Sequence, residues 1–133
     1  MQIKVSDVMT RNVLWMSPET SAQEIASHMR DKRISSVVIV KGGKTVGIVT
    51  EHDLAERVTA LGLNPKTTPA SLIMSSPVVI IDVEAGIDEA ARLMRDKRIK
   101  KLIAVKDGKT EGIVTSYDLI VAQPVIRLLG EKK

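Results

Sequence analysis

The chain has 133 residues, of which 44% are hydrophobic and 27% charged, and its formal net charge is +4. This length and balance suit one folded domain, or two half-domains that share a core, and they exclude a disordered chain. No apolar run approaches the roughly 20 residues that cross a bilayer, and the first residues lack the apolar region of a signal peptide. Because cysteine is also absent, disulfide and thiolate chemistry are excluded, and we expect a cytoplasmic protein that does not bind membranes.

The positions of the charges argue against a nucleic-acid partner. Residues 6–57 contain seven basic and seven acidic side chains, and residues 71–122 contain eight of each, so the surplus lies outside these two stretches. Nucleic-acid-binding surfaces usually combine a basic face with stacking aromatic residues. The aromatic residues of this chain are Trp15 and Tyr117 alone. We therefore do not expect nucleic acid as a partner.

One stretch of the sequence occurs twice, because Met29–Ile34 (MRDKRI) returns 65 residues later as Met94–Ile99. Aligning Ser6–Arg57 with Ser71–Ala122 without a gap gives 23 identities in 52 pairs. A fixed register over this length indicates one supersecondary unit used twice. The prediction divides the chain into three parts: a first repeat at residues 1–62, a linker at 63–70, and a second repeat with a C-terminal tail at 71–133.

In chain order, each repeat opens with a short amphipathic piece, Val5–Met9 or Ser71–Met74, and a β-rich run, Val13–Met16 or Val78–Ile81. A helix follows, and Ser21 and Glu24 are spaced as a capping box at its start in the first repeat. The apolar positions of this helix have helical spacing in both repeats: Ala22, Ile25, Ala26 and Met29, and then Ile87, Ala90, Ala91 and Met94. Two strands then flank a Gly-Gly or Asp-Gly hairpin signal: Val37–Val40 with Val46–Val49, and Leu102–Val105 with Gly112–Val114.

A second helix is predicted to begin near Thr50 or Thr115. In the first repeat its apolar stripe consists of Leu54, Val58 and Leu61, and Gly62 ends it. The copies diverge after Leu119, where Pro124 either kinks the last helix or opens a new one that runs to Leu129.

The repeat is therefore β-α-β-β-α, with the first two strands parallel and the last two in a hairpin. A three-stranded sheet with helices on one side leaves its other side needing a partner, and the second repeat can supply one. The predicted fold class is α/β (α+β), with two pseudo-symmetric repeats packed through their sheets.

Motifs of catalysis are absent, since the sequence contains no G-x-S-x-G, no P-loop and no G-x-G-x-x-G. His28 and His52 lie apart, and without cysteine they are too few for a zinc site. The repeated cluster Arg30–Arg33, which returns as Arg95–Arg98, is interpreted as solvated cations at a helix C-terminus. We therefore predict no enzyme, no catalytic cofactor and no metal.

The stretch G-I-V-T-x-x-D occurs at Gly47–Asp53 and again at Gly112–Asp118. Thr-x-x-Asp at a strand-to-helix junction is typical of an N-cap with an acidic partner three residues later. Both copies also keep a glycine that brings the strand backbone close to a neighbour. A hydroxyl and a carboxylate at the mouth of a cleft also suit the vicinal hydroxyls of a ribose. The spacing leaves helix capping and ligand binding both open.

These features together resemble the CBS domain, the module named after cystathionine beta-synthase. The resemblance rests on the order β-α-β-β-α, the tandem copy, Asp7–Thr10 (DVMT) near the start, and G-I-V-T-x-x-D at the last strand-helix junction. It covers about Val5–Val121, and two CBS domains in tandem resemble a Bateman module.

The resemblance implies an adenosine-containing ligand in two clefts between the paired repeats: AMP, ADP, ATP, S-adenosylmethionine or NAD, with the adenine nucleotides favoured. It implies that Thr50 with Asp53, and Thr115 with Asp118, hold ribose hydroxyls and approach the phosphate.

Further site residues follow from the same resemblance. Lys100 and Lys101, at the entry to the second strand of the repeat, are candidates for phosphate contacts, whereas Ser35-Ser36 hold this place in the first repeat. Trp15 and Ile80 correspond to the wall that meets the base, although Trp15 equally suits a core or dimer contact. His52 and Tyr117 stand where many relatives have Arg before the Asp, so we expect unequal clefts.

The sequence thus predicts a non-enzymatic regulatory or sensor module that binds an adenine nucleotide. The alternative is a structural or adaptor dimer that recruits a protein partner without a small ligand. A homodimer is expected because a module of this size cannot bury all four apolar helix stripes. A regulated protein partner is also possible for either function.

Overall fold

Two three-stranded sheets organise residues 2–122, which are the part of the chain that this computed structural model describes. Within each sheet the first strand pairs in parallel with the second, and the second pairs antiparallel with the third. The strands are Trp15–Met16 (β1), Ser36–Lys41 (β2), Lys44–Thr50 (β3), Ile80–Asp82 (β4), Lys101–Lys106 (β5) and Lys109–Thr115 (β6). This mixed α+β fold with two repeats confirms the predicted fold class.

In each repeat one helix connects the two parallel strands and another follows the hairpin, as the sequence predicted. They are Val5–Val8 (α1), Ala22–Lys32 (α2), Glu51–Leu54 (α3), Ala70–Ile73 (α4), Ile87–Lys97 (α5) and residues 116–122 (α6). A π-helical turn, Ala55–Thr59, continues α3. The two alternatives for Pro124 lie outside the described residues.

The long helices α2 and α5 begin and end for local reasons. Ser21 Oγ accepts a hydrogen bond from the Glu24 amide at 3.1 Å, so the predicted N-cap of α2 is present. At the other ends, Arg33 and Arg98 adopt left-handed backbone angles, with φ of 54° and 56°. Such a residue reverses the chain and lets the amide of the next residue satisfy a carbonyl of the last helical turn.

The two hairpins are as tight as the sequence predicted. Gly42 and Gly43 both have positive φ, and so do Asp107 and Gly108 in the second hairpin. Positive φ at both central residues defines the type I′ turn, whose twist matches that of the flanking strands. The Gly-Gly and Asp-Gly pairs therefore set the register of β2 on β3 and of β5 on β6.

Three residues of the predicted apolar stripes, Ala26, Ala91 and Leu61, are exposed. In α2 and α5 the buried stripe uses three positions per helix: Ala22, Ile25 and Met29, and Ile87, Ala90 and Met94. Leu61 is 67% exposed, because the π-helical turn changes the rotation between Val58 and this residue. The helical segment ends at Thr59, three residues before the predicted stop, Gly62, whose φ is 68°.

The described chain divides into two compact units, which we name by their motif threonines. The Thr50 unit is Val13–Val78, and the Thr115 unit comprises residues 2–12 and 79–122. The opening segment of each sequence repeat therefore packs in the unit built around the other repeat's sheet. The repeat bounds predicted above describe which residues are copies of each other, and they stay a prediction.

Each unit has its own aliphatic core on the helix-covered face of its sheet. The core of the Thr50 unit includes Ile25, Val37, Val49 and Ile73, the last from α4. In the Thr115 unit, Val5 and Met9 of the opening segment pack with Leu102, Ala104 and Val114. The opening segments are therefore part of the two cores.

Candidate ligand site at the Thr-x-x-Asp motifs

Both motifs cap a helix. In the Thr115 unit, the Thr115 amide donates to Asp118 Oδ2 at 2.8 Å, and the Asp118 amide donates to Thr115 Oγ1 at 3.1 Å. In the Thr50 unit the equivalent distances between Thr50 and Asp53 are 2.9 and 3.2 Å. This reciprocal pair is a capping box, so the capping interpretation is confirmed. A carboxylate has two oxygens, and capping uses one of them.

The second oxygen of Asp53 has partners within the Thr50 unit. Ser75 Oγ donates to Asp53 Oδ1 at 3.3 Å, and Arg57 Nε lies 3.9 Å from the same oxygen. Thr50 Oγ1 adds a further hydrogen bond to Oδ2 at 3.1 Å. Asp53 is only 4% exposed, and these partners satisfy the charge that burial would otherwise penalise.

Within residues 2–122, the second oxygen of Asp118 has no partner of this kind. Among residues 2–122, the Asp118 carboxylate accepts one hydrogen bond, the capping bond from Thr115. Asp118 is half-buried. Its Oδ1 keeps unused acceptor capacity at the start of α6, which a ligand hydroxyl could use.

The sheet register brings several predicted site residues of the Thr115 unit onto one face. Lys101 pairs directly with Thr115, and Ile80 pairs with Ile103, two residues further along β5. Because side chains alternate between the faces of a sheet, these residues share one face, opposite the helix-covered core. Ile80 is 57% exposed.

Lys100 precedes β5 and is exposed. Its carbonyl accepts from the Ser116 amide at 2.9 Å. The backbone of the predicted phosphate-contact residue is thereby fixed beside the motif.

The Thr50 unit repeats this arrangement with different chemistry. Ser36 pairs with Thr50, and Trp15 pairs with Val38, so the predicted site residues Trp15 and Thr50 share one face of the sheet with Ser36. Trp15 is 46% exposed. The Glu51 amide donates to the Ser35 carbonyl at 3.1 Å. This unit therefore places two serines where the Thr115 unit places two lysines.

The motif glycines have a structural reason inside each unit. A Cβ on Gly112 would lie 2.5 Å from the Thr10 carbonyl oxygen, and Thr10 exchanges two backbone hydrogen bonds with Ile113. A Cβ on Gly47 would contact the Met74 side chain. In each case the opening segment of the other repeat packs directly against the glycine. The glycines are therefore explained by packing and are not evidence for a ligand.

The repeated basic clusters lie at the last turns of α2 and α5, as predicted. Arg30 Nε donates to Asp31 Oδ1 at 2.9 Å, and both side chains are mostly exposed. The hydrogen bond from Arg30, with its positive charge, lowers the pKa of Asp31. Exposed pairs of this kind contribute little to stability.

Sequence reasoning missed Arg57 and Ser75 as partners of the first motif. The signal was present in the gapless alignment, where Arg57 stands opposite Ala122 and Ser75 opposite Thr10. The alignment does not predict the hydrogen bond between Ser75 and Asp53, because the two residues are 22 positions apart in the chain.

The described part of the chain has neither a metal-binding cluster nor a membrane-spanning helix. Residues 2–122 contain no group of three or more His, Cys, Asp or Glu side chains arranged to hold a metal ion. Over the same residues, no helix has both the length and the apolar character needed to cross a bilayer.

Comparison with known proteins agrees with this architecture. The family model of the CBS domain matches the chain twice, at residues 5–60 and 70–124. The chain belongs to the CBS-domain family. Its two domains form a CBS-domain pair, which supports a regulatory or sensor module.

Two relatives illustrate the range of sequence identity and coverage. An uncharacterized protein of Methanopyrus kandleri is 41% identical over 126 residues, which cover 93% of this chain and 64% of that protein. The CBS domain-containing protein YhcV of Bacillus subtilis is 34% identical over 119 residues, which cover 90% of this chain and 84% of that protein. The chain thus spans less than two thirds of the Methanopyrus relative.

Solved structures share the fold. An uncharacterized conserved protein of Pyrococcus horikoshii has a TM-score of 0.82 at 32% identity, over 92% of this chain and 93% of that one. A hexameric CBS-CP12 protein from bloom-forming cyanobacteria has a TM-score of 0.87 at 26% identity, over 96% and 75%.

Proposed function

We propose that this CBS-domain pair senses an adenosine-containing ligand, AMP, ADP, ATP or S-adenosylmethionine, which binds at the Thr115 motif. The observation that carries the proposal is the Asp118 carboxylate, held by Thr115 through one oxygen, with the other unused among residues 2–122. A ribose offers vicinal hydroxyls as donors, and a carboxylate accepts such bonds strongly.

The neighbours of Asp118 suit the rest of such a ligand. Lys101, which pairs with Thr115 across the sheet, and Lys100 supply positive charge for a phosphate. Ile80 supplies exposed apolar surface for the base on the same face. Tyr117 stands where many relatives have Arg, so we expect the ligand's affinity to depend little on a long polyphosphate.

Binding to a panel of ligands tests this proposal. We expect AMP, ADP, ATP or S-adenosylmethionine at millimolar concentration to raise the melting temperature, because a ligand that binds only the folded state stabilises it by mass action. At a concentration 100 times Kd the gain is about 2.7 kcal/mol. Inosine and short DNA and RNA serve as controls.

No shift with any adenosine compound would instead favour the alternative function, an adaptor that recruits a protein partner without a small ligand.

We also propose that the chain forms a homodimer. The exposed apolar side chains include Leu72 on α4, Trp15 on β1, and Tyr117, Ile120 and Val121 on α6. Surfaces of this kind are commonly covered by a second copy, and the CBS-CP12 protein of similar fold is hexameric. Light scattering at micromolar concentration should give about twice the 14.5 kDa of one chain. A mass of one chain would contradict the homodimer.

A further inference from the structure

We infer that Arg57 and Ser75 form a latch on Asp53 that keeps ligand out of the Thr50 unit, so that each chain binds a single ligand, at the Thr115 motif. The ligand half of this inference rests on the proposed function. The structural half concerns the Thr50 unit alone and stands without any ligand.

The latch, defined as Arg57 and Ser75 with the Asp53 carboxylate, joins the motif helix to the segment after α4. Ser75 Oγ donates to Asp53 Oδ1 at 3.3 Å, while Arg57 Nε lies 3.9 Å from that oxygen. The other end of Arg57 donates from Nη1 to the carbonyls of Ile73 and Met74, at 3.2 and 3.1 Å. The guanidinium thus lies between the carboxylate and the C-terminal end of α4.

The Asp53 oxygens that a ribose hydroxyl would need as acceptors already have partners. Thr50 engages Oδ2 from both its amide and its hydroxyl, and the latch engages Oδ1. A ribose hydroxyl would therefore have to displace Ser75 from a side chain that is only 4% exposed. Displacing a satisfied buried hydrogen bond removes much of what the new bond would contribute.

The Thr115 unit contains no latch. At the positions 65 residues away, Thr10 stands for Ser75 and Ala122 for Arg57. Thr10 keeps the backbone pairing of Ser75, since it bridges Ile113 as Ser75 bridges Ile48. Among residues 2–122, however, its hydroxyl makes no hydrogen bond to Asp118, and alanine has no charge to offer. The two units thus share the cap and differ in the latch.

Thermal unfolding of the ligand-free chain tests the structural half. Ser75→Ala and Arg57→Ala should each lower the melting temperature by roughly 3 °C or more, because each removes a partner of a buried carboxylate. Thr10→Ala is the matched control and should leave it within about 1 °C. The double variant Ser75→Ala/Asp53→Asn should lose less than the sum of its single losses. Melting temperatures equal to that of the unchanged chain for both latch variants would overturn the latch.

Titration calorimetry with ATP and AMP tests the ligand half. The unchanged chain should bind one nucleotide per chain, and Ser75→Ala should keep its affinity within about twofold, since it lies outside the proposed site. Two nucleotides per chain of equal affinity would overturn the inference, and so would a tenfold loss of affinity in Ser75→Ala. Should no nucleotide bind, the proposed function fails, and the unfolding experiment still decides the latch.

Discussion

Asp118→Asn is expected to weaken adenine-nucleotide binding by roughly 10- to 150-fold. The substitution removes the negative charge that accepts hydrogen bonds from the ribose, and a hydrogen bond to a charged group contributes about 1.5–3 kcal/mol. The stability of the ligand-free chain should change by only a few tenths of a kcal/mol, because Asn and Asp are comparable at a helix start. Calorimetry with AMP and ATP, alongside thermal unfolding without ligand, measures both effects.

The same substitution in the other unit, Asp53→Asn, is the matched control. Asp53 is buried and satisfied by its own unit, so this variant should lose stability, by roughly 1–3 kcal/mol, and keep its nucleotide affinity. Equal binding by Asp118→Asn and the unchanged chain would reduce the second motif to helix capping. Thr115→Ala separates the two roles poorly, because it weakens cap and site together.

Gly112→Ala is expected to destabilise the chain by about 1–3 kcal/mol. Its new methyl group would lie 2.5 Å from the Thr10 carbonyl oxygen, and that oxygen accepts the Ile113 amide at 3.0 Å. The Thr10 carbonyl can move away only if it loses this hydrogen bond, so the clash cannot be relieved without a loss of stability. Denaturant unfolding, read as a change of midpoint at constant slope, measures the loss.

Gly47→Ala provides the comparison within the same chain. Its methyl would meet the Met74 side chain, whose Cγ and Sδ can rotate away, while the Met74 Cβ, at 3.0 Å, is held by the backbone. We expect a smaller loss than for Gly112→Ala. A loss at Gly47 equal to or larger than that at Gly112 would contradict the view that the backbone of the opening segment makes the second glycine indispensable.

Much of the fold could be predicted from the sequence because its determinants are local. The Gly-Gly and Asp-Gly pairs require positive φ and fix the hairpins. The stripe through Ile25 and Met29 fixes the buried face of α2 by its period. Leu61 shows the limit of this reasoning, because the periodic pattern assumes a regular helix and the chain makes a π-helical turn, Ala55–Thr59, just before it.

For the candidate site, too, local features could be predicted from the sequence and long-range ones could not. The capping bonds between Thr50 and Asp53, and between Thr115 and Asp118, span three residues, so spacing alone predicted them. The nucleotide-binding roles of these residues, and those of Lys100, Lys101, Trp15 and Ile80, stay predictions. The structure adds the register that places Lys101 beside Thr115.

By itself the sequence determined that one unit is used twice, that each copy is β-α-β-β-α, and that each ends on a capped helix. The last two properties depend on residues within a few positions of one another. The tertiary structure decided which opening segment packs on which sheet, why Gly47 and Gly112 must be glycine, and that Ser75 reaches Asp53 across 22 residues while Asp118 keeps one oxygen unused among residues 2–122. Two nearly identical motifs acquire different chemistry because the partners of a buried carboxylate are supplied by packing between distant segments, which local spacing does not encode.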